Sequence, residues 1–211
     1  DAGVVPLEEA LIVNDPAYRR RLMLSMLTEE PDAYLAQLQA AKLNDDVEVA
    51  HYAATAVAQI SKESDLKLQQ LERSFKTDPS AQNLNEYCDF LGEYLCSGLA
   101  EGRVAQIQRQ QYARLLARRC EREDTLELRI RYATALADVG QIDEAQAVTD
   151  QLVLDVPEEQ EVWMLCLRLA VMRRDGDEVH RVIDAIDKQH VYLSSANREE
   201  LAFWRNGEEA R

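Results

Sequence analysis

The stretch that decides the fold runs from Leu126 to Pro157 and reads LELRIRYATALADVGQIDEAQAVTDQLVLDVP. Apolar residues recur every three or four positions on both sides of Gly140, which is the spacing of two amphipathic helices. Gly140 is predicted to end the first helix, because glycine adopts the left-handed C-terminal conformation without steric cost. Pro157 is predicted to end the second helix, because proline cannot sit in a helix interior. The stretch therefore predicts a helical hairpin.

The spacing within this hairpin matches the tetratricopeptide repeat, which is a 34-residue helical hairpin. Small residues stand at its eighth and twentieth positions, Ala133 and Ala145, and the latter is where the two helices cross closely. A shift by one repeat length again gives apolar core positions, namely Leu167, Ala170, Val179, Val182 and Ile186. After this shift Gly140 corresponds to Arg174, and the turn glycine is interpreted as displaced to Gly176. The sequence thus predicts a second, imperfect repeat.

The whole chain is predicted to be all-α, a right-handed α-solenoid of tetratricopeptide-type hairpins. Only 7 glycines and 5 prolines occur among its 211 residues, which is few for a β-sandwich or barrel with many tight turns. We predict three regions: irregular helical repeats over 1–79, tetratricopeptide repeats over 80–193, and a capping helix and tail over 194–211. Whether the first region is of tetratricopeptide or HEAT type is left open.

Element limits outside the two repeats follow from prolines, caps and apolar spacing. Five N-terminal helices are predicted, over 6–13, 16–27, 31–43, 46–60 and 65–76. A stretched hairpin is predicted over 80–125, and its returning helix is carried by Val104, Ile107, Tyr112, Leu115 and Leu116. The last helix is predicted over about 197–204, with Asn197 as its N-cap, since Glu200 stands three residues later.

The charge of the chain restricts its partners. It has 39 acidic and 24 basic residues, for a net charge of −15. Such a surface repels phosphate backbones, so no nucleic-acid binding is expected, whereas a basic protein partner is compatible. The main basic run, Arg19-Arg20-Arg21, either faces lipid headgroups or pairs with nearby acidic residues such as Glu8 and Glu29.

The sequence predicts no catalytic residue, cofactor or metal ligand. It contains none of the phosphate-binding, dinucleotide-binding, nucleophile-elbow or H-E-x-x-H motifs. Glu48 and His51 have a spacing that could ligate a metal, but a helix–helix contact is the simpler interpretation. His180 is predicted to be solvated, and His190 to lie at a helix end. The four cysteines are predicted to be reduced thiols in the helix core.

The first helices of successive tetratricopeptide repeats line a concave groove. The outward positions of these helices are predicted to form the partner-binding surface: Glu127, Ile130, Thr134, Asp138, Glu161, Met164, Arg168 and Met172. The apolar members of this set either grip an extended peptide or helix of a partner or pack against an adjacent helix.

Several stretches resemble the PelE family, the tetratricopeptide-repeat components of bacterial Pel exopolysaccharide synthase complexes. The segment 44–53, NDDVEVAHYA, is the most specific, because ordinary repeats do not require its His-Tyr pair. The other matching stretches are 6–11 (PLEEAL), 20–24 (RRLML), 97–99 (SGL) and 203–204 (FW). The resemblance covers about residues 5–206.

This resemblance implies a scaffold without catalysis of its own. It implies two transmembrane helices upstream of Asp1 and a domain at the cytoplasmic face of the bacterial inner membrane. The implied partners are a PelD-like cyclic-di-GMP receptor, a PelF-like glycosyltransferase and a PelG-like membrane subunit. Two other hypotheses remain: a generic cytosolic adaptor or peptide-binding co-chaperone, and a metal-dependent enzyme that uses His51 and nearby carboxylates.

Overall fold

The computed structural model describes residues 34–206 of the chain. Within this range the regular secondary structure is entirely helical, with nine α-helices and no strand. The chain divides into two compact units, Asp1–Glu101 and Gly102–Arg211. The helices predicted over 6–13 and 16–27 and the run Arg19-Arg20-Arg21 lie outside the described residues, as do the limits of the predicted tail beyond residue 206.

The first unit contains three described helices: α1 Leu35–Ala41, α2 Val47–Thr77 and α3 Ala81–Cys96. The conspicuous Asn44-Asp45-Asp46 stretch starts α2. The Asp46 carboxylate accepts hydrogen bonds from the backbone N–H groups of Glu48 and Val49, at 2.9 and 3.4 Å. This cap satisfies amides that have no partner inside the helix. Part of the segment 44–53 is therefore explained by helix initiation alone.

Helix α2 corrects the prediction of two helices over 46–60 and 65–76, because it runs unbroken for 31 residues. Ser61, Lys62, Glu63 and Ser64 fill the expected gap, and none of them is glycine or proline. Without a residue that breaks the backbone hydrogen-bond pattern, the helix continues as long as both of its halves find apolar partners.

The first half of α2 packs against α1. The buried cluster between them consists of Leu38, Ala41, Val49, Ala53, Ala56 and Ile60. Leu99, from the loop after α3, packs against the same cluster. The Gln39 amide Nε2 donates to the carbonyl oxygen of Ser97 at 3.1 Å, which ties this loop to α1.

The second half of α2 packs against α3. The Tyr94 hydroxyl donates to Asp65 Oδ1 at 2.8 Å, and the rings of Phe75 and Tyr87 lie 6.2 Å apart. Burial, with the Asp65 carboxylate as a second cause, raises the pKa of Tyr94 to about 12. The turn at Pro79, where the sequence places a region boundary, lies between these two helices and inside the first unit.

The second unit contains six described helices: α4 Gly102–Cys120, α5 Leu126–Asp138, α6 Ile142–Asp155, α7 Gln160–Arg173, α8 Gly176–Gln189 and α9 Ser195–Asn206. Each of them packs against the next, and α5 also packs against α7. The starts of α5 and α7, and those of α6 and α8, are separated by one repeat length. The sequence period is therefore expressed as two helical hairpins of nearly equal size.

The turns inside these two hairpins are the same turn. Gly140 has φ +78°, and Arg174, one repeat length later, has φ +57°. In both turns the backbone N–H of the next residue donates to the carbonyl oxygen five residues earlier, at 2.9 and 3.1 Å. This is the Schellman arrangement that ends many helices. The predicted displacement of the turn glycine is wrong: Arg174 keeps the left-handed position, and Gly176 is the first residue of α8.

The predicted core of the two hairpins is confirmed. Ala133, Ala145 and Leu167 have no exposed surface. The other predicted core positions, Ala170, Val179, Val182 and Ile186, are buried as well. Trp163 is buried beside them and donates its indole N–H to the Pro157 carbonyl oxygen at 2.7 Å, which fixes the connection between the hairpins.

Helix α4 differs from the prediction in its first half. Leu115 and Leu116 are buried as predicted, together with Ala113, whereas Val104 and Ile107 are 55% and 53% exposed. The sequence assigns α4 to a hairpin with α3, but α3 belongs to the first unit and α4 to the second. Within the second unit α4 packs against α5, and its first half buries Ala105 in place of Val104 and Ile107.

Helix α9 begins earlier than predicted. The Ser194 hydroxyl accepts from the Asn197 backbone N–H at 3.2 Å, so Ser194, not Asn197, caps the helix. Leu201 is buried in the cluster formed by α7 and α8, and Trp204 packs against the same cluster. The helix thus covers apolar residues at the end of the second hairpin.

Candidate interaction groove

A groove of about 490 Å³ runs over the surface of the second unit. Helices α5 and α7, together with α9 and the residue before it, supply its walls. The lining residues are Ile130, Thr134, Gln160, Glu161, Met164, Leu165, Arg168, Ser194, Asn197 and Glu200. Because α5 and α7 begin one repeat length apart, equivalent faces of these two helices meet at this groove, and α9 closes it with residues of its own.

Five of the eight residues predicted to bind a partner lie in this groove: Ile130, Thr134, Glu161, Met164 and Arg168. The other three do not line it. Glu127 stands one turn before Ile130 on α5, and Met172 lies at the end of α7 with 41% of its surface exposed. Asp138 contributes through an ion pair with a groove residue. Five of the eight predicted residues therefore lie together in one groove, and the binding of a partner there stays a prediction.

The apolar residues of the groove are only partly available to a ligand. Ile130 packs against the cluster between α5, α6 and α7, and Met164 packs against the cluster around α8. Both side chains are half-buried. The sequence left two alternatives for these side chains, contact with a neighbouring helix or contact with a partner. Their buried atoms make the first contact, and their exposed atoms leave room for the second.

The single basic residue among the groove's lining residues is neutralised. Arg168 Nη2 lies 2.5 Å from Asp138 Oδ1, joining α7 to α5. Asp138 also lines a smaller cavity of about 350 Å³ with Arg109, on α4. The pair is exposed to solvent, so its contribution to stability is about 1 kcal/mol or less, but it cancels the positive charge at the groove.

Two carboxylates at the groove are not neutralised. Glu161, on α7, and Glu200, on α9, are exposed, and neither forms an ion pair or hydrogen bond with another described residue. Their charges sit beside the half-buried apolar surface of Met164. The groove therefore combines a neutral apolar floor with acidic edges.

Gln160 fixes one end of the groove. Its Oε1 atom accepts from the Ser194 backbone N–H at 2.8 Å and from Asn197 Nδ2 at 3.0 Å. A backbone N–H is only a donor, so the contact with Ser194 identifies the Gln160 oxygen and leaves its Nε2 group as the other end of the amide. This arrangement holds the start of α9 against the start of α7.

Sequence reasoning missed Gln160, Leu165, Ser194, Asn197 and Glu200. A signal for some of them was present, because Ser194 follows Gln160 by one repeat length. Continuing the period once more would have placed α9 at the position of another first helix. The predicted repeats instead end before residue 194, which leaves α9 out of the predicted groove.

The histidines do not meet the geometric requirements of a metal site. Within residues 34–206, no group of three or more His, Cys, Asp or Glu residues could hold a metal ion. His51 is exposed on α2, with its ring 6.1 Å from that of Tyr52. His180 Nδ1 lies 2.6 Å from the Gly176 carbonyl oxygen, and His190 ends α8 in the left-handed conformation. The contacts that the structure shows for these three histidines are thus local ones.

The cysteines are less uniform than predicted. Cys88 and Cys166 are buried in the core, but Cys120 is half-buried and Cys96 is exposed. Burial, reinforced by the carboxylates of Asp150 and Glu178, raises the pKa of Cys166 to about 12. Burial also raises the pKa of Cys120. A thiol with a raised pKa is a poor nucleophile at neutral pH, so neither has the character of a catalytic cysteine.

Neither a membrane-spanning helix among the described residues nor a known relative adds information about the groove. In the part of the chain from residue 34 to residue 206, no helix is both long enough and apolar enough to cross a bilayer. Comparisons of the sequence with protein-family models and with curated proteins, and of the fold with solved structures, found no match.

Proposed function

We propose that this chain is a protein-interaction domain in which the groove between α5, α7 and α9 holds a segment of a partner subunit. The observation that carries the proposal is the meeting of equivalent faces of α5 and α7 in one groove that α9 closes. Half-buried apolar side chains with polar edges are the surface that a bound peptide segment requires. In this role the chain acts by positioning other proteins and performs no chemistry itself.

The finer part of the proposal concerns the fold family and the assembly. The offset of one repeat length, the small residue at the helix crossing and the contact of α5 with α7 support a tetratricopeptide solenoid. The resemblance of segment 44–53 and the other stretches supports membership of a Pel exopolysaccharide synthase complex. The domain would then work at the cytoplasmic face of the inner membrane, anchored by helices upstream of Asp1. Its partners would be PelD-like, PelF-like or PelG-like subunits.

Co-expression tests this function. The 211-residue chain, carrying an affinity tag, is co-expressed with each of the three subunits, and the bound fraction is measured after purification. We expect at least one subunit to co-purify. Thr134→Trp fills the groove without removing a side chain from the core clusters, and we expect it to reduce the bound fraction about tenfold or more.

The matched control is Ala147→Trp, which places the same side chain on an exposed position of α6 outside the groove. It should leave co-purification unchanged. If no subunit co-purifies, the assignment to the synthase complex is wrong. If a subunit binds equally well to both tryptophan variants, binding occurs but the groove is not the surface responsible.

A further inference from the structure

We infer that the segment held by this groove is basic and extended, with apolar residues alternating with lysine or arginine. This inference rests on the proposed function, because it describes the occupant of the same groove. It goes further by stating the charge, the conformation and the residue pattern of that occupant. Three features of the groove carry it.

The first feature is the sign of the available charge. Arg168 is neutralised by Asp138, so Glu161 and Glu200 determine the potential at the edges. Glu127 stands on α5 at the position equivalent to Glu161, one repeat length earlier, but its Oε1 atom lies 3.8 Å from Arg131 Nη1, so it adds no unpaired charge. The unpaired acidic edge therefore consists of Glu161 on α7 and Glu200 on α9. A lysine or arginine side chain gains favourable contacts along this edge, whereas an acidic segment is repelled.

The second feature is the apolar floor between the charges. Ile130, Met164 and Leu165 line it, and the exposed parts of the first two remain open to a ligand. Methionine is flexible and polarisable, so it adapts to different aliphatic side chains. In an extended segment, successive side chains point to opposite sides. Alternation therefore allows apolar side chains to face the floor while basic ones reach toward the edges.

The third feature is the free end of the Gln160 amide. Its Oε1 atom accepts from Ser194 and Asn197, whereas its Nε2 group forms no hydrogen bond with another described residue, and Gln160 lines the groove. The two N–H groups of Nε2 are donors, and an unpaired main-chain carbonyl is a suitable acceptor. A helical segment uses its carbonyl oxygens internally, whereas an extended segment leaves them free. Gln160 thus favours an extended occupant.

The whole chain favours the same occupant. Its net charge of −15 attracts a basic segment before contact and so raises the rate of association at low ionic strength. Such attraction is not specific to one surface. The test therefore has to separate the groove carboxylates from the general acidity of the protein.

The probe is a synthetic peptide of about twelve residues that alternates leucine with lysine, a pattern suited to an extended segment. Two comparison peptides replace lysine with serine or with glutamate. Binding of each to the full chain is measured by fluorescence anisotropy at about 50 and 200 mM salt, which brackets the physiological screening length. We expect the lysine peptide to bind at least about tenfold more tightly than either comparison peptide at low salt.

The decisive variant is Glu161→Gln/Glu200→Gln, and its matched control is Glu144→Gln/Asp184→Asn. Both remove two negative charges, but Glu144 and Asp184 are exposed on α6 and α8 outside the groove. We expect the groove variant to weaken binding of the lysine peptide by about fivefold to tenfold, as the loss of two exposed ion pairs should. The control should weaken it by less than about twofold.

Equal losses in the two variants would overturn the inference, as would equal affinity for the serine peptide or no measurable binding of the lysine peptide. Thr134→Trp distinguishes two outcomes, a groove that does not select basic segments and a groove that binds no segment at all. If it abolishes binding of a neutral peptide while the glutamine variant has no effect, the groove binds segments but does not select basic ones. If Thr134→Trp affects neither peptide binding nor co-purification, the groove itself loses its assigned function.

Discussion

The two units of this protein use helices in different ways. In the second unit, α5 to α8 are short helices of nearly equal length, and each hairpin repeats the turn and the buried positions of the other. In the first unit, the single 31-residue helix α2 serves two partners, α1 along its first half and α3 along its second. A long helix and a pair of short ones thus solve the same problem of burying apolar surface.

The difference teaches where helix length is decided. In the hairpins, a left-handed residue ends the first helix at Gly140 and again at Arg174. In α2, the segment Ser61–Ser64 contains no residue that favours such a turn, and the contact of Asp65 with Tyr94 holds the continuing helix against α3. In the second unit, the residues at the turns end the helices. In the first unit, α2 continues because helices α1 and α3 pack against its two halves.

The largest expected effect comes from exchanging residue sizes at a core position that the two hairpins share. Leu167 is completely buried, so we expect Leu167→Ala to lower the free energy of unfolding by about 4 kcal/mol, as a cavity replaces the leucine side chain. Ala133 occupies the same position in the preceding hairpin. Because it is also fully enclosed, Ala133→Leu should cost about 1–3 kcal/mol by overpacking.

Urea unfolding followed by circular dichroism measures both changes. Leu154 is the control, since it lies on α6 with 76% of its surface exposed, and Leu154→Ala should change stability by less than about 0.5 kcal/mol. Losses for Leu167→Ala as small as those for Leu154→Ala would show that the two hairpins do not share a common core position.

The next effect breaks α2 at the point where the sequence suggested a gap. Lys62 is exposed in the middle of the helix, so Lys62→Pro removes no buried side chain but disrupts a backbone hydrogen bond and crowds the preceding turn. We expect a loss of about 3 kcal/mol in the free energy of unfolding, measured by urea titration. Lys62→Ala should be neutral within about 0.5 kcal/mol. A proline variant as stable as the alanine variant would mean that 46–60 and 65–76 are separate helices after all.

The smallest effect sharpens the comparison between the two turns. Arg174 holds a left-handed conformation that disfavours residues with a Cβ atom, so Arg174→Gly should raise the free energy of unfolding by about 1 kcal/mol. The converse change, Gly140→Arg, should lower it by a similar amount, about 1 kcal/mol. Thermal midpoints from calorimetry would record both shifts. If Arg174→Gly is destabilising, the Arg174 side chain makes a contribution that exceeds the backbone cost.

The sequence predicted the second unit better than the first for an identifiable reason. The repeat period is visible at residues such as Ala145, Val179 and Ile186, because the packing of each hairpin requires apolar residues at this spacing. The turn at Arg174 is the exception, since arginine carries no signal for a left-handed conformation and only the hydrogen bonds of the folded turn impose it.

The groove was predictable in part. The period of α5 and α7 located Ile130, Thr134 and Met164, because residues one repeat length apart in equivalent helices share one face. The same period does not predict that Gln160 and Glu200 line the groove, because their position there depends on how α9 packs against α7. That docking involves a hydrogen bond from the Ser194 backbone to the distant side chain of Gln160, which no local pattern reveals.

The amino-acid sequence by itself determined that the chain is helical where it is described, that two hairpins repeat, and that the surface is acidic. These properties follow from composition, from local periodicity and from turn residues, all of which act over a few neighbouring positions. Tertiary structure alone decided the length of α2, which residues in the first half of α4 are buried, and which residues of α9 line the groove. Those outcomes depend on which distant segments meet, because apolar burial rewards any partner that fits and does not specify its position along the chain.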